Sequence, residues 1–363
     1  MNIGIIPLRK GSKRIPGKNK KEIAGKPLFR WVLDEAVKSQ LDKIYVYTDD
    51  ADIASLAVKE YMDNDRVIVK RRDDENATDE ATTEAAMVEF CDKINWNFDN
   101  IMLLQATSPL TKAKHIDDAL WVLENSEYDS IVSCVKQKRF IWDKTGYAKN
   151  YNIFNRPLSQ NYEGYYVENG AIYATTRNMF RATHNRVSGD IGIIEMPEET
   201  YVEIDTKNDW LMVEALLKRA DIKVVMTDCD GVLTDGGMYY GDKEYKKFNT
   251  KDGMGFQLLQ EAGYDTGIIS GEEHESIEKR AEKLGVEYLI LGSQDKLNDI
   301  MIPTDNLAYI GDDINDIELL KKASWSACPS DAHEDVKKVC DYVCQAKGGE
   351  GVFREVAEIL RRR

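Results

Sequence analysis

The chain has no CxxC pair, and its six cysteines, at 91, 134, 229, 328, 340 and 344, are scattered along it. The nearest two, Cys340 and Cys344, fit one helix face, but no further ligand accompanies them, so no zinc site is indicated and buried free thiols are expected. No run approaches the roughly 18 apolar residues of a spanning helix. The opening MNIGIIPLRKGSKR places its charges after a short apolar stretch, which is not the order of a signal peptide. Cytoplasm is the expected compartment, with no membrane partner. Basic charge is in deficit: 49 Lys and Arg against 64 Asp and Glu give a net charge of −15, which argues against a nucleic-acid partner. Neither GxxxxGK[ST] nor GxGxxG occurs, so neither a Walker loop nor a dinucleotide fold of the usual kind is indicated. Repeats and low-complexity tracts are absent as well.

What is present is enough chain, 363 residues, for two domains of ordinary size. Hydrophobic residues at 42% and charged residues at 31% describe a globular protein. Short apolar runs alternate with amphipathic stretches, the pattern of α/β domains with mostly parallel sheets. Strands are expected at 2–6, 43–47, 67–70, 101–104, 130–135 and 171–175, with helices at 27–40, 83–94 and 208–219. The segment 140–167, rich in Tyr, Asn and Arg, breaks the rhythm and reads as an extended excursion. A second series follows, with strands at 224–227, 266–269, 288–291 and 307–310 and helices at 253–261, 273–284 and 315–322. Gly263 and Gly285 stand where C-terminal caps belong. The expected domains are 1–221 and 222–363, joined without a Pro/Gly-rich linker.

Seven basic residues crowd the loop after the first strand: Arg9, Lys10, Lys13, Arg14, Lys18, Lys20 and Lys21. No acidic residue occurs there before Glu22. Gly11 and Gly17 let backbone amides approach a ligand, and Ser12 adds a hydroxyl. Open α/β sheets bind ligands at strand carboxyl ends, so a polyphosphate is the expected occupant.

The same stretch, IIPLRKGSKRIPGKN, resembles the signature of the CMP-sialic acid synthetase family, with Arg9, Ser12, Lys13, Pro16, Lys18 and Asn19 in register. Four further segments match in order: Arg72 followed by ENATDEATT with Thr83; LLQATSPL with Gln105, Thr107 and Ser108; VENGAIY with Asn169; and EIDTKNDW with Glu203 and Asp205. The resemblance covers residues 1–217. It implies a nucleotidyltransferase-type Rossmann-like domain that binds CTP and a nonulosonic (sialic) acid. Arg9 then faces the α-phosphate, assisted by Lys13 and Lys18. Ser12, Asn19, Arg72, Thr83, Gln105, Thr107, Ser108 and Asn169 line the substrate pockets. Glu203 and Asp205 alternate on an extended segment, project the same way and suit Mg²⁺. One departure stands out. NRPLSQNY has Leu158 where the family's sugar-recognition element often has an arginine, with Arg156 two positions earlier, so the guanidinium partner of the sugar carboxylate is unassigned.

In the second series, VVMTDCDGVLTDGG ends a strand with Asp228 and Asp230, and Gly231 turns the chain. Paired carboxylates there suit a nucleophile beside a general acid/base. With Ser270 in ISGE, Lys296 in SQDK and Asp312 in YIGDDIND, the set resembles the haloacid dehalogenase superfamily of phosphatases. MYYGDKEYKKFNTKDGMG and GGEGVFRE resemble the projecting hairpin and C-terminal signature of its capless octulosonate/nonulosonate phosphatase subgroup. This implies a capless Rossmannoid domain with Mg²⁺ held by Asp228, Asp230 and Asp312. Asp228 is the implied nucleophile, Ser270 and Lys296 hold the phosphate, and Glu272 tilts the substrate toward a nonulosonate 9-phosphate. Kinship further implies a homo-oligomer, dimeric through the first domain or tetrameric through the second. The expected function is therefore bifunctional, with a monofunctional cytidylyltransferase carrying an idle C-terminal domain as the alternative.

Overall fold

The computed structural model describes residues 1–361 apart from Asp79, Ser159, Asp221 and Lys243. The chain divides into two compact units, Met1–Leu216 and Leu217–Arg363.

The first unit is built on a seven-stranded sheet. Its spatial order is Val67–Arg71, Lys43–Thr48, Asn2–Leu8, Asn100–Leu104, Tyr165–Thr176, Ser130–Gln137 and Ile191–Glu195. The first four strands run parallel, and Tyr165–Thr176 is antiparallel to both neighbours. Both faces are covered, as a parallel sheet requires. Ile3 and Ile5 point into one cluster with Phe90, Leu103 and Phe180, while Ile6 and Leu8 join Phe29, Val46 and Leu104 on the other side. A Cβ on Gly4 would lie 2.8 Å from Leu41 Cδ1, so that strand carries glycine where Leu41 fills the space.

The expected elements appear with ends shifted by a few residues, except at Tyr165–Thr176, which begins six residues before the expected 171. Its opening residues, Tyr165 to Glu168, pair with Cys134–Gln137 beyond a register shift between Val132 and Cys134. Those residues are partly or fully exposed and rich in tyrosine, which is why they read as part of the excursion. Among its described residues the excursion, 138–164, holds a turn of 3₁₀ helix at Ile153–Asn155 and a bridge between Trp142 and Ala148.

The second unit has a six-stranded parallel sheet in the order Tyr288–Ile290, Asp265–Ile269, Val224–Thr227, Leu307–Ile310, Trp325–Cys328 and Tyr342–Val343. A two-stranded hairpin, Tyr239–Tyr240 with Glu244–Tyr245, follows the central strand. Gly285 takes the left-handed conformation at the end of the helix Glu275–Leu284, and Gly263 (φ 86°) follows Thr250–Glu261 in the same way. The helix Val352–Leu360 stacks Phe353 on Phe256, ring centroids 3.7 Å apart. All six cysteines are free thiols, five of them buried. Among the described residues no helix is long and apolar enough to cross a membrane.

Candidate active sites

In the first unit, the strand Asn2–Leu8 delivers its carboxyl end into the basic loop. A cavity of about 270 Å³ opens there, lined by Arg9, Ser12, Lys18, Asn19, Arg72, Thr83, Gln105 and Thr107, among others. Asn19 Nδ2 donates to the Arg9 carbonyl at 3.1 Å, which fixes the loop's return. Thr83, a lining residue, opens the helix Thr83–Lys93, whose Ala85 amide is capped by Thr82 Oγ1 at 3.1 Å. Arg72 is 5% exposed. Its guanidinium donates to the Asn76 carbonyl, and its Nε lacks a partner. Burial lowers its pKa from the ordinary value, with Asp49 countering. A buried guanidinium nitrogen with no acceptor is a site for an anion.

The carboxylates of EIDTKNDW sit beside this loop. Lys18 Nζ donates to the Ile204 carbonyl at 2.6 Å and lies 3.5 Å from Asp205 Oδ1; Arg14 reaches Asp205 Oδ2 at 3.0 Å. Burial lowers the Lys18 pKa, and Asp205 and Glu203 oppose that shift. Asp205 is held in place by Thr206 and Asp209. The Asp209 carboxylate accepts from the amides of Asp205 (3.0 Å) and Thr206 (2.6 Å), while Thr206 Oγ1 accepts from the Asp209 amide (3.2 Å). That reciprocal pair is a capping box for the helix Lys207–Ala220. Glu203 Oε1 accepts from Gln105 Nε2 at 3.0 Å and from Thr107 Oγ1 at 2.8 Å. Gly170 (φ 68°) makes the room: a Cβ there would lie 2.7 Å from Glu203 Oε2.

Three expected residues stand apart from the lining. Asn169 is buried and spends its side chain internally, donating to Thr200 Oγ1 (3.1 Å) and accepting from Ser133 Oγ (2.7 Å). Ser108 is buried beneath it and donates to the Asn169 carbonyl at 3.4 Å. Lys13 is exposed and is not among the residues lining the cavity. Near the departure from the family pattern, Leu158 is exposed and Arg156 stacks on Phe140 and Tyr151, 4.5 and 5.5 Å from their ring centroids.

In the second unit, the strands Val224–Thr227 and Leu307–Ile310 are neighbours, so Asp228 and Asp312 emerge side by side. The carboxylates of Asp228, Asp312 and Asp316 come within 4.8 Å of one another. Lys296 is buried among them, 2.9 Å from Asp228 Oδ1 and 2.7 Å from Asp316 Oδ1. Burial pulls this ammonium's pKa down, but Asp228 and Asp316 outweigh it and hold the pKa above the ordinary value. Asp316 has no oxygen to spare: Oδ1 accepts from Lys296 and Tyr309, and Oδ2 from the amides of Asp312 and Asp313. It orients the loop. Asp312 Oδ1, by contrast, is buried with no partner. Burial, then the neighbouring carboxylates, raises Asp228 to about 7 and Asp312 to about 8, with Lys296 countering in each. Three carboxylates around one ammonium leave a deficit of positive charge. An orphaned oxygen and hard donors make Asp228 and Asp312 fit a divalent cation such as Mg²⁺.

Gly231 (φ 83°) is required at this point, since a Cβ would lie 2.0 Å from Asp312 Oδ2. Gly348 and Gly349 of GGEG close on the same turn, with Cβ positions 2.2 Å from the Gly231 carbonyl and 2.6 Å from the Asp235 amide. Ser270 is buried at the end of Asp265–Ile269 and accepts from the Glu272 amide at 3.1 Å. The Asp230 carboxylate lies outside the converging trio and accepts instead from Lys246 (2.7 Å) and Thr234 (3.2 Å). The sequence carries no signal for Lys246 or Tyr309. KEYKKFN offers three lysines with no spacing to favour one, and Tyr309 reads as a strand residue.

The family model for cytidylyltransferase matches residues 3–226. This chain belongs to the cytidylyltransferase family. The model for haloacid dehalogenase-like hydrolase matches residues 291–356, so a nucleotidyltransferase and a phosphatase-type hydrolase share one chain. Over 98% of its length the chain is 32% identical to the N-acylneuraminate cytidylyltransferase of Oncorhynchus mykiss, covering 87% of that protein. Over 40% of its length it is 34% identical to the 3-deoxy-D-manno-octulosonate 8-phosphate phosphatase KdsC of Escherichia coli K12, covering 83% of it. A crystal structure of the Moraxella catarrhalis enzyme of that name, in complex with magnesium ion, phosphate ion and KDO, is 34% identical over 41% of this chain and 91% of that one, with a TM-score of 0.40.

Proposed function

We propose that residues 1–221 transfer CMP from CTP to a nonulosonic acid and that residues 222–363 hydrolyse a nonulosonate 9-phosphate. The observation that carries the first assignment is the cavity where Arg9, Ser12, Lys18 and the unpartnered Arg72 nitrogen meet the Glu203–Asp205 segment. The sugar's anomeric oxygen attacks the α-phosphorus, its proton passes to solvent, and the bond to pyrophosphate breaks. Arg9, Lys18 and Arg72 bear the developing negative charge, and the fixed loop aligns the reactants. Glu203 and Asp205 would hold a magnesium ion, which takes few protein ligands and fills its shell with phosphate oxygens and water. Incubation with CTP and a panel of ulosonic acids tests this. Pyrophosphate release with a nine-carbon acid and not with an eight-carbon one is expected, and release with neither would overturn it.

For the second activity, Asp228 attacks phosphorus while Asp230 gives a proton to the departing sugar oxygen, leaving an aspartyl phosphate. Asp230 then takes a proton from water, whose oxygen displaces Asp228 and frees phosphate. Lys296 and the Ser270 hydroxyl steady the phosphate oxygens. A divalent ion held by Asp228 and Asp312 would supply the missing positive charge. Glu272, at the mouth of this site, favours the nine-carbon substrate. A second reading rests on one observation: the Oncorhynchus mykiss relative matches along 98% of this chain yet bears the name of the cytidylyltransferase alone. An idle second domain predicts no phosphate release from a nonulosonate 9-phosphate. The intact cluster of Asp228, Lys296, Asp312 and Asp316 favours turnover.

A further inference from the structure

Lys246 follows directly on the second strand of the hairpin Tyr239–Tyr240 and Glu244–Tyr245. Its side chain is 7% exposed, and its ammonium donates to Asp230 Oδ1 at 2.7 Å and to Glu272 Oε2 at 2.6 Å. Two residues further on, Phe248 bridges back to Thr234, whose hydroxyl is the other donor to Asp230. The hairpin is thus fastened to the Asp230 turn twice, by a backbone bridge and by a charge.

A nearly buried ammonium is costly unless its hydrogen bonds are satisfied. Here two carboxylates satisfy it, and they come from different strand ends, Asp230 after Val224–Thr227 and Glu272 after Asp265–Ile269. Without Lys246 those two anions face one another across the site with no cation between them. Asp230 would then be held by the 3.2 Å bond from Thr234, a neutral donor and weaker than a charged one. Small misplacements of a proton donor cost large factors in rate.

We propose that Lys246 is a positioning residue of the phosphatase centre, holding the Asp230 carboxyl where it meets the leaving oxygen and coupling it to Glu272. The inference rests on the phosphatase reading above. Lys246 transfers no proton itself and acts through Asp230. It also accounts for the Asp230 side chain standing outside the metal-type cluster, since its carboxylate is committed to this clamp.

Leaving-group dependence tests it, on the full chain with Mg²⁺. p-Nitrophenyl phosphate expels a phenolate that needs no proton, whereas a nonulosonate 9-phosphate expels an alkoxide that does. Lys246→Met is expected to slow the first half-reaction of the sugar ester, read as free sugar released in a single turnover, about 10²-fold while leaving the nitrophenolate burst from p-nitrophenyl phosphate within about threefold. The second half-reaction, in which Asp230 takes a proton from water, is common to both esters. Lys246→Arg, which keeps the charge, is expected to recover at least about tenfold of that loss. An equal fall in this first step for both esters, a rise in KM alone, or no change on either overturns the positioning role. Failure of the unsubstituted chain on both esters instead removes the phosphatase reading on which the role depends.

Discussion

Asp252 shows how a single residue sets a cost that its helix does not reveal. It sits in the first turn of Thr250–Glu261, 2% exposed, where its Oδ1 accepts from the Arg354 amide at 3.1 Å. The helix Val352–Leu360 begins at Gly351 with no side-chain cap of its own, so Asp252 caps it from a neighbouring element. The other oxygen, Oδ2, is buried without a partner. Burial raises this carboxyl to about 6, against the opposing pull of the Arg354 and Phe353 amides. The folded value lies above the unfolded one near 3.9, so folding takes up a proton between about pH 4 and 6. The stability tied to that proton is complete below the unfolded value and lost as pH rises through about 6. Two to three kilocalories per mole is the order of the effect, at about 1.4 kcal/mol per unit. Asp252→Asn is therefore expected to protect the amides of 352–360 from hydrogen exchange better than the native residue at pH 7.5 and no better at pH 4. Equal protection at both would show that the carboxylate is not desolvated. The sequence does not disclose this residue, because an acid in a first helical turn is ordinary and its neighbour comes from 102 positions later.

Among the elements, Tyr165–Thr176 does the most to shape the first site. It lies antiparallel between two strands, and its Gly170 is the point where Glu203 approaches. The motif VENGAIY contains this glycine, though only its asparagine carries a sequence-based expectation. The reason for the glycine is not legible there, since the contact joins residues 33 positions apart and depends on φ 68°. Gly170→Ala adds backbone strain of roughly 1–2 kcal/mol and drives a methyl into Glu203, breaking its bonds from Gln105 and Thr107. Pyrophosphate release should fall on the order of 10²-fold while phosphate release stays unchanged. A variant with normal nucleotidyl transfer would mean that Glu203 tolerates displacement and has no part in that chemistry. The same strand holds Asn169 within the sheet, where its side chain is bonded to Thr200 and Ser133.

At the scale of the whole chain, much was legible because each motif lies at a strand end and parallel sheets gather strand ends. Five ordered motifs in one half and four in the other named Lys18 and Asp205, which lie 3.5 Å apart, and Asp228 and Asp312, whose carboxylates converge. What sequence could not supply was which cation answers which carboxylate. Arg14 to Asp205 and Lys246 to Asp230 are long-range pairings set by loop paths, and no periodicity encodes them. The two carboxylate centres belong to different compact units, 1–216 and 217–363. That separation makes a reciprocal prediction. Asp205→Ala is expected to lower pyrophosphate release at least about 10²-fold and leave phosphate release unchanged, and Asp228→Asn to do the reverse. Chelation of divalent ions is expected to abolish both, because Glu203 and Asp205 in one unit and Asp228 and Asp312 in the other are the carboxylates that would hold them. Mg²⁺ returned to the Asp228→Asn chain should then restore nucleotidyl transfer alone. If either substitution silenced both reactions, the sites would not be independent. If chelation spared the first activity, Arg9, Lys18 and Arg72 would suffice to carry the triphosphate, and Glu203 and Asp205 would serve only to hold the loop.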